Sequence, residues 1–170
     1  MGTNVDWQRY GSLSYCTAGQ QPATTRRLQM RFMMIVKASA DSENGVMPQP
    51  EVFKAMGKFN QDLIDAGILL AAEGLHPSDK GSRVTFKDGK HVVKDGPFAE
   101  TKELISGFWI IQVNSQEDAL QWVKRIPMGN GETIELRRVF EAADFAEVVP
   151  EKEIAREQAW RDANQKPITG

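Results

Sequence analysis

Residues 95–103 read Asp95-Gly96-Pro97-Phe98-Ala99-Glu100-Thr101-Lys102-Glu103. Gly96 and Pro97 restrict the chain to a turn, and Phe98 is large enough to anchor that turn between packed elements. Four ionisable side chains (Asp95, Glu100, Lys102 and Glu103) crowd a connection that would otherwise need only polar filler. Upstream, Arg83 to Lys87 and Lys90 to Lys94 flank Asp88-Gly89, a strong two-residue hairpin signal. Downstream, Leu104 to Val113 carries Phe108, Trp109, Ile110 and Ile111 in succession and predicts a strand buried on both faces.

Further from the turn the pattern alternates. Met30 to Lys37 predicts a strand with Phe32, Met34 and Val36 on one face and Met33 and Ile35 on the other. Pro50 suits a first helical turn; Val52, Met56, Phe59 and Leu63 then make one apolar stripe, and Gly67 is the expected stop. Ile68 to His76 reads as a second strand. Ser115 with Asp118 starts a helix that Pro127 ends, and Thr133 to Phe140 closes the core. Without the hairpin the order is β-α-β-β-α-β, an α+β, ferredoxin-like arrangement with an inserted β-hairpin. Two helices cover one face of such a sheet, yet two strands are apolar on both. A second copy packed sheet against sheet, a homodimer, answers that mismatch; a monomer shielded by its own tail helix is the other solution.

The run from Asp95 to Glu103 resembles, letter for letter, the signature of the bacterial DGPF (DGPFAETKE) domain family within the YCII-related group. The resemblance implies a dimeric α/β barrel and a domain that begins near Met30. The chain thus divides into an N-terminal extension (1–29, expected to be poorly ordered), a YCII-related domain (30–142) and a partly helical C-terminal tail (143–170). Relatives are often encoded beside extracytoplasmic-function sigma factors, which implies a non-catalytic ligand-binding or regulatory role as the alternative to an enzyme.

Composition narrows the function classes. The 170 residues carry 21 basic and 23 acidic side chains with no basic run, so the electrostatic footprint of a nucleic-acid binder is absent. Cys16 is the only cysteine, which rules out an intrachain disulfide and a thiolate zinc cage. No apolar stretch reaches the roughly 20 residues of a membrane span, and no signal peptide opens the chain; a cytoplasmic protein is expected. Phosphate-binding glycine motifs and a nucleophile elbow are lacking, and the two histidines stand apart from clustered carboxylates. Cofactor-free and metal-free proton transfer is the enzyme class that survives.

His76 and Asp95 are the expected catalytic pair. A histidine ring gains and loses its proton near neutral pH. By period-two counting His76 shares a face with Ile68, Leu70 and Ala72, and Pro77 places it at a strand end. A strand-end histidine satisfied by a backbone carbonyl is the plainer explanation. Asp95 matches, by position, the aspartate that YCII relatives carry in a similar turn, where acid-base work is implied; an ordered turn in which Asp95 accepts backbone N–H groups and Glu100 pairs with Lys102 competes with it. The histidine that some broader YCII relatives carry on their first helix has no counterpart between Pro50 and Ala66. Phe98, Glu100, Lys102, Glu135 and Arg137 are the expected substrate-binding residues. On the last strand Glu135 and Arg137 alternate with Ile134 and Leu136; if the latter face the helices, Glu135 and Arg137 point into the inter-sheet space, where a guanidinium can hold a carboxylate or phosphate. A ligand-free Glu135–Arg137 ion pair explains the same pattern. Arg83 and Lys94 read as solvated charges, and His91 as a surface residue.

Overall fold

The computed structural model describes residues 29–99 and 103–170, and everything structural below refers to these. Strand β1 (Met30–Lys37) leads through a four-residue helix α1 (Ala40–Glu43) to the long helix α2 (Pro50–Asp65) and strand β2 (Leu69–Gly74). A hairpin of β3 (Ser82–Lys87) and β4 (Lys90–Asp95) follows. Strand β5 (Ile105–Val113), helix α3 (Gln116–Val123) and strand β6 (Ile134–Arg138) complete the core sequence, and helix α4 (Glu151–Asn164) ends it. The result is a mixed α+β fold with four helices and antiparallel sheets. The main sheet runs β2-β5-β1-β6 and stays open; β3 and β4 form a separate two-stranded ribbon.

Alternation on β1 works as expected. Phe32 and Met34 are buried against Phe59 and Leu63 of α2, Ala119 of α3, and Trp109 and Ile111 of β5. Trp109 and Phe59 meet edge to face, with ring centroids 5.7 Å apart, and Trp109 donates its N–H to Asn60 Oδ1 at 2.7 Å. The core thus keeps a large aromatic without leaving its polar atom unpaired. Gly67, with φ at +66°, ends α2 in a left-handed conformation that disfavours other residues. Ser115 accepts the Asp118 N–H and caps α3. Asp88 and Gly89 both take positive φ, 50° and 71°, as the two-residue turn between β3 and β4 requires.

Three boundaries depart from the sequence reading. Strand β2 stops at Gly74, so His76 lies beyond the strand. Its register jumps from Leu69 opposite Ile111 to Ala71 opposite Ile110, leaving Leu70 as an extra residue. Such a bulge flips the phase of the side chains, and both Leu69 and Ala72 contribute to the core. Counting in twos from Ile68 therefore does not give the face of His76. Helix α1, inside a stretch that reads as loop, is stabilised by reciprocal Ser39 and Ser42 side-chain caps. Strand β6 ends at Arg138, and Phe140, included in the expected final strand, is exposed beside Phe145.

The tail is tied down at two points. Arg31, on the face of β1 opposite Phe32, is buried; its guanidinium bonds Glu141 Oε1 and Oε2 at 3.0 Å, Gln165 Oε1 at 2.6 Å and the Phe140 carbonyl at 3.0 Å. Beyond α4, the Ile168 N–H donates to the Leu69 carbonyl on the outer edge of β2 at 2.7 Å. No helix among the described residues is long and apolar enough to cross a membrane. The expectation about an N-terminal extension lies outside the described residues, apart from the exposed Gln29.

Candidate functional site

The C-terminal ends of β1 and β2 and the N-terminal ends of β5 and β6 share one end of the sheet. Register puts Glu135 opposite Ile35 and Arg137 opposite Met33. Ile134 and Leu136 pack on the helix side, so Glu135 and Arg137 stand on the opposite, open face, with the half-buried Met33 and with Ile35, which is itself buried there. Lys37 Nζ meets Glu135 Oε2 at 2.8 Å, whereas Arg137 Nε is 3.7 Å from Glu135 Oε1. Lys37, not Arg137, is thus the main partner of Glu135. Its hydrogen bond, then its charge, hold the Glu135 carboxyl below the usual glutamate value, with a smaller contribution from Arg137; desolvation opposes them. Glu135 is accordingly a carboxylate at neutral pH. The Arg137 side chain is 70% exposed. With Glu135 occupied by a nearer lysine, most of its guanidinium is open to an incoming anion.

The turn at Asp95 is built into the same end. Leu75 N–H donates to the Ser106 carbonyl at 2.8 Å, extending β2 toward His76, and the chain then turns through a short 3-10 segment, Ser78–Lys80. Ser78 is the hub. Its hydroxyl donates to Glu43 Oε2 and its N–H faces both oxygens of that carboxylate at 3.2 and 3.3 Å. Its Oγ accepts the Phe98 N–H at 3.1 Å. Gly96 N–H donates to the Gly81 carbonyl at 3.0 Å. Gly96 abuts the Ser78 carbonyl so closely that a Cβ there would overlap the oxygen and lie 2.6 Å from the carbon. This close approach explains the glycine; the Gly96-Pro97 bond is cis. Phe98 is half-buried, and the Arg83 guanidinium lies over its ring, 4.1 Å from the centroid. Arg83 is therefore not simply a solvated charge.

The expected site residues fall into three groups. Asp95 and Phe98 belong to this clasp: Asp95 Oδ1 accepts the Ser82 hydroxyl at 2.7 Å, rather than backbone N–H groups. His76 is exposed, two residues before Ser78, without a hydrogen bond among the described residues. Glu135 and Arg137 stand on the open face. The segments carrying His76 and Asp95 touch through Ser78 and Gly96, but no hydrogen bond joins the two side chains. Glu100 and Lys102 lie outside the described residues. Sequence reading missed Lys37, Glu43, Ser78 and Ser82. Only the Ser39-x-x-Ser42 cap hinted that Glu43 sits on an ordered helix rather than in a loop.

Residues 30–143 match the YCII-related domain. This chain belongs to that family. It is also similar to the uncharacterized protein R00369 of Rhizobium meliloti (strain 1021), at 30% identity over 82 residues. That match covers 48% of this chain and 66% of the Rhizobium protein, a little under two thirds of the relative's length. The YCII-related match ends at residue 143, just as the last 3-10 turn begins, so α4 and the tail tethered by Ile168 lie beyond it.

Proposed function

We propose that this YCII-related protein binds a small anionic or carbonyl compound at the Lys37–Arg137 end of the open sheet face and moves a proton on it without a cofactor, as an isomerase or lyase would. The observation that carries this reading is the Arg137 guanidinium, held beside a carboxylate already satisfied by Lys37 and left largely open. A planar cation in that state takes a carboxylate or phosphate through two parallel hydrogen bonds. In the proposal His76 and Asp95 exchange the proton, Phe98 walls the site and Glu135 fixes the cationic pair; Glu100 and Lys102 add polar contacts. The contact between the Ser78 and Gly96 backbones supports bringing the first two to one place. The strand order β2-β5-β1-β6, with α2 and α3 against one face, supports the ferredoxin-like assignment. The half-buried Phe108 and Ile110 on the other face support a sheet-to-sheet homodimer.

The test is a thermal-shift screen of small carboxylates, phosphorylated compounds and keto acids. A hit should raise the melting temperature of the wild type and not of Arg137→Ala. Proton transfer should then appear by NMR as uptake of solvent deuterium into the bound compound, lost in His76→Gln while binding persists. An Arg137→Ala protein that keeps the full shift would defeat the site assignment. One observation favours a second reading, a non-catalytic binding or regulatory protein: the Asp95 carboxylate is engaged by Ser82 at the base of the hairpin. Binding without deuterium uptake would select that reading.

A further inference from the structure

Strand β1 starts where the chain after β6 leaves the sheet. Phe32 pairs with Arg138, and the Val139 N–H donates to the Arg31 carbonyl at 2.9 Å, so the residues before Met30 emerge beside Phe140. From that point an apolar track leads to α4. The Phe140 ring, 67% exposed, packs on Phe145 at 5.1 Å, and the Phe145 carbonyl accepts the Val148 and Val149 N–H groups at 3.0 and 2.9 Å. Val149 and Trp160 then wall a cleft of about 510 Å3 along α4, and Trp160 is 56% exposed. The charged rim of this cleft is satisfied from within the helix: Glu153 pairs with Arg156 at 2.9 Å, and Glu157 with Arg161. What the track lacks is apolar cover.

The sequence before Met30 holds apolar groups at a suitable distance. Val5, Trp7, Tyr10, Leu13 and Tyr15 cluster between positions 5 and 15, and both tyrosines of the chain are among them. Residues 16–27 follow with no aromatic and no large aliphatic side chain. Such a stretch reaches at most about 40 Å when extended. Arg31, beside the exit, bonds Gln165 at one end of α4, and the 14 residues of that helix rise only about 21 Å. The cluster therefore reaches any point of the track without disturbing β1, and the covalent link keeps its effective concentration there high. The cluster precedes the YCII-related match of residues 30–143 and the cleft follows it, so each addition to the domain has the other to cover it.

We infer that residues 5–15 fold back on their own chain and cover the track from Phe140 to Trp160. Trp7, furthest from the exit, enters the cleft between Val149 and Trp160; Leu13 and Tyr15, nearer to it, lie against Phe140 and Phe145. Tryptophan and tyrosine suit such a shallow surface, because each buries an apolar ring and keeps a polar edge in water. The contact is made within one chain and is separate from the sheet-to-sheet contact proposed above.

Fluorotyrosine incorporated into the full chain reports on this segment alone, because Tyr10 and Tyr15 are the only tyrosines. In the fluorine NMR spectrum of the folded protein both signals should stand away from the positions they take in denaturant. Trp160→Ala, at an exposed site and with circular dichroism as the check on folding, should return them toward those positions, and Trp7→Ala should return the Tyr10 signal. In either variant tryptic cleavage after Arg9 should quicken by about tenfold, since proteolysis follows the population of the open form. Wild-type signals at the denatured positions would overturn the inference, as would shifts and protection that survive Trp160→Ala. Shifts that fade on about tenfold dilution would also overturn it, and would make a second copy the occupant.

Discussion

Gly96→Ala tests whether the Asp95–Phe98 turn is a clasp. The new Cβ would overlap the Ser78 carbonyl oxygen and lie 2.6 Å from its carbon and 3.2 Å from Asp79 N. These are backbone atoms, so no side chain can rotate out of the way. If the clasp holds and the backbone shifts, the cost is that of overpacking, about 1–3 kcal/mol. If it opens instead, the bonds Phe98 N–H to Ser78 Oγ and Gly96 N–H to the Gly81 carbonyl are lost, along with the stacking of Arg83 on Phe98. At about 1 kcal/mol for each hydrogen bond and about 0.5–1 kcal/mol for the exposed cation–π contact, that route costs about 3 kcal/mol. Both routes give a similar total, and for a chain of this size about 3 kcal/mol lowers the melting temperature by roughly 6–12 °C. Scanning calorimetry measures the global effect. Amide hydrogen exchange over residues 82–95 reports opening that stays local to the ribbon. A variant with wild-type melting and unchanged ribbon protection would refute the clasp.

Other consequences can be checked on the same protein. Arg31→Ala should cost about 3–5 kcal/mol in chemical denaturation, because it strands Glu141 in a partly buried position and removes the Gln165 and Phe140 contacts; a loss below about 1 kcal/mol would show that water replaces the guanidinium. Leu63→Ala, at a fully buried position between α2 and the sheet, should cost about 2–5 kcal/mol, and a smaller loss would mean that the core collapses around the gap. The lowered Glu135 carboxyl contributes stability that is complete above the ordinary glutamate value and is lost as pH falls through the lower folded value. Glu135→Gln should flatten that part of the acid stability profile, and an unchanged profile would remove Lys37 as its cause.

Much of the fold is readable where one residue dictates one geometry. Asp88-Gly89 fixes a hairpin because few other pairs tolerate two positive φ angles, and Gly67 ends α2 for the same reason. Strand β1 is legible because Phe32, Met33, Met34, Ile35 and Val36 make one short unbroken apolar run, which reads as a strand apolar on both faces. The face of His76 was not legible, since the Leu70 bulge follows from pairing with β5 and leaves no local mark in a run of small and aliphatic residues. The Ser78 hub was hidden for a related reason: Glu43 and Phe98 are 35 and 20 residues away, and a serine in a turn is chemically ordinary. Alternation correctly placed Glu135 and Arg137 together; it could not reveal that Lys37, on a neighbouring strand, takes the carboxylate and leaves the arginine open.

Helix α4 contains no buried residue, so little holds it along its own length. Its place comes from anchors outside it: Arg31 holds Glu141 upstream and the C-cap Gln165, and Ile168, just beyond, bonds the edge of β2. Such anchors act through effective concentration: while one is closed, the other searches a small volume and re-forms quickly. Release of the arginine end would turn the Ile168 bond into the closure of a long loop, and part of the β2 edge would lose its cover. An uncovered edge strand is a template for pairing with any other extended chain. Arg31, far from the clasp and from the end of the sheet that carries Lys37 and Arg137, should thereby set how readily the protein aggregates.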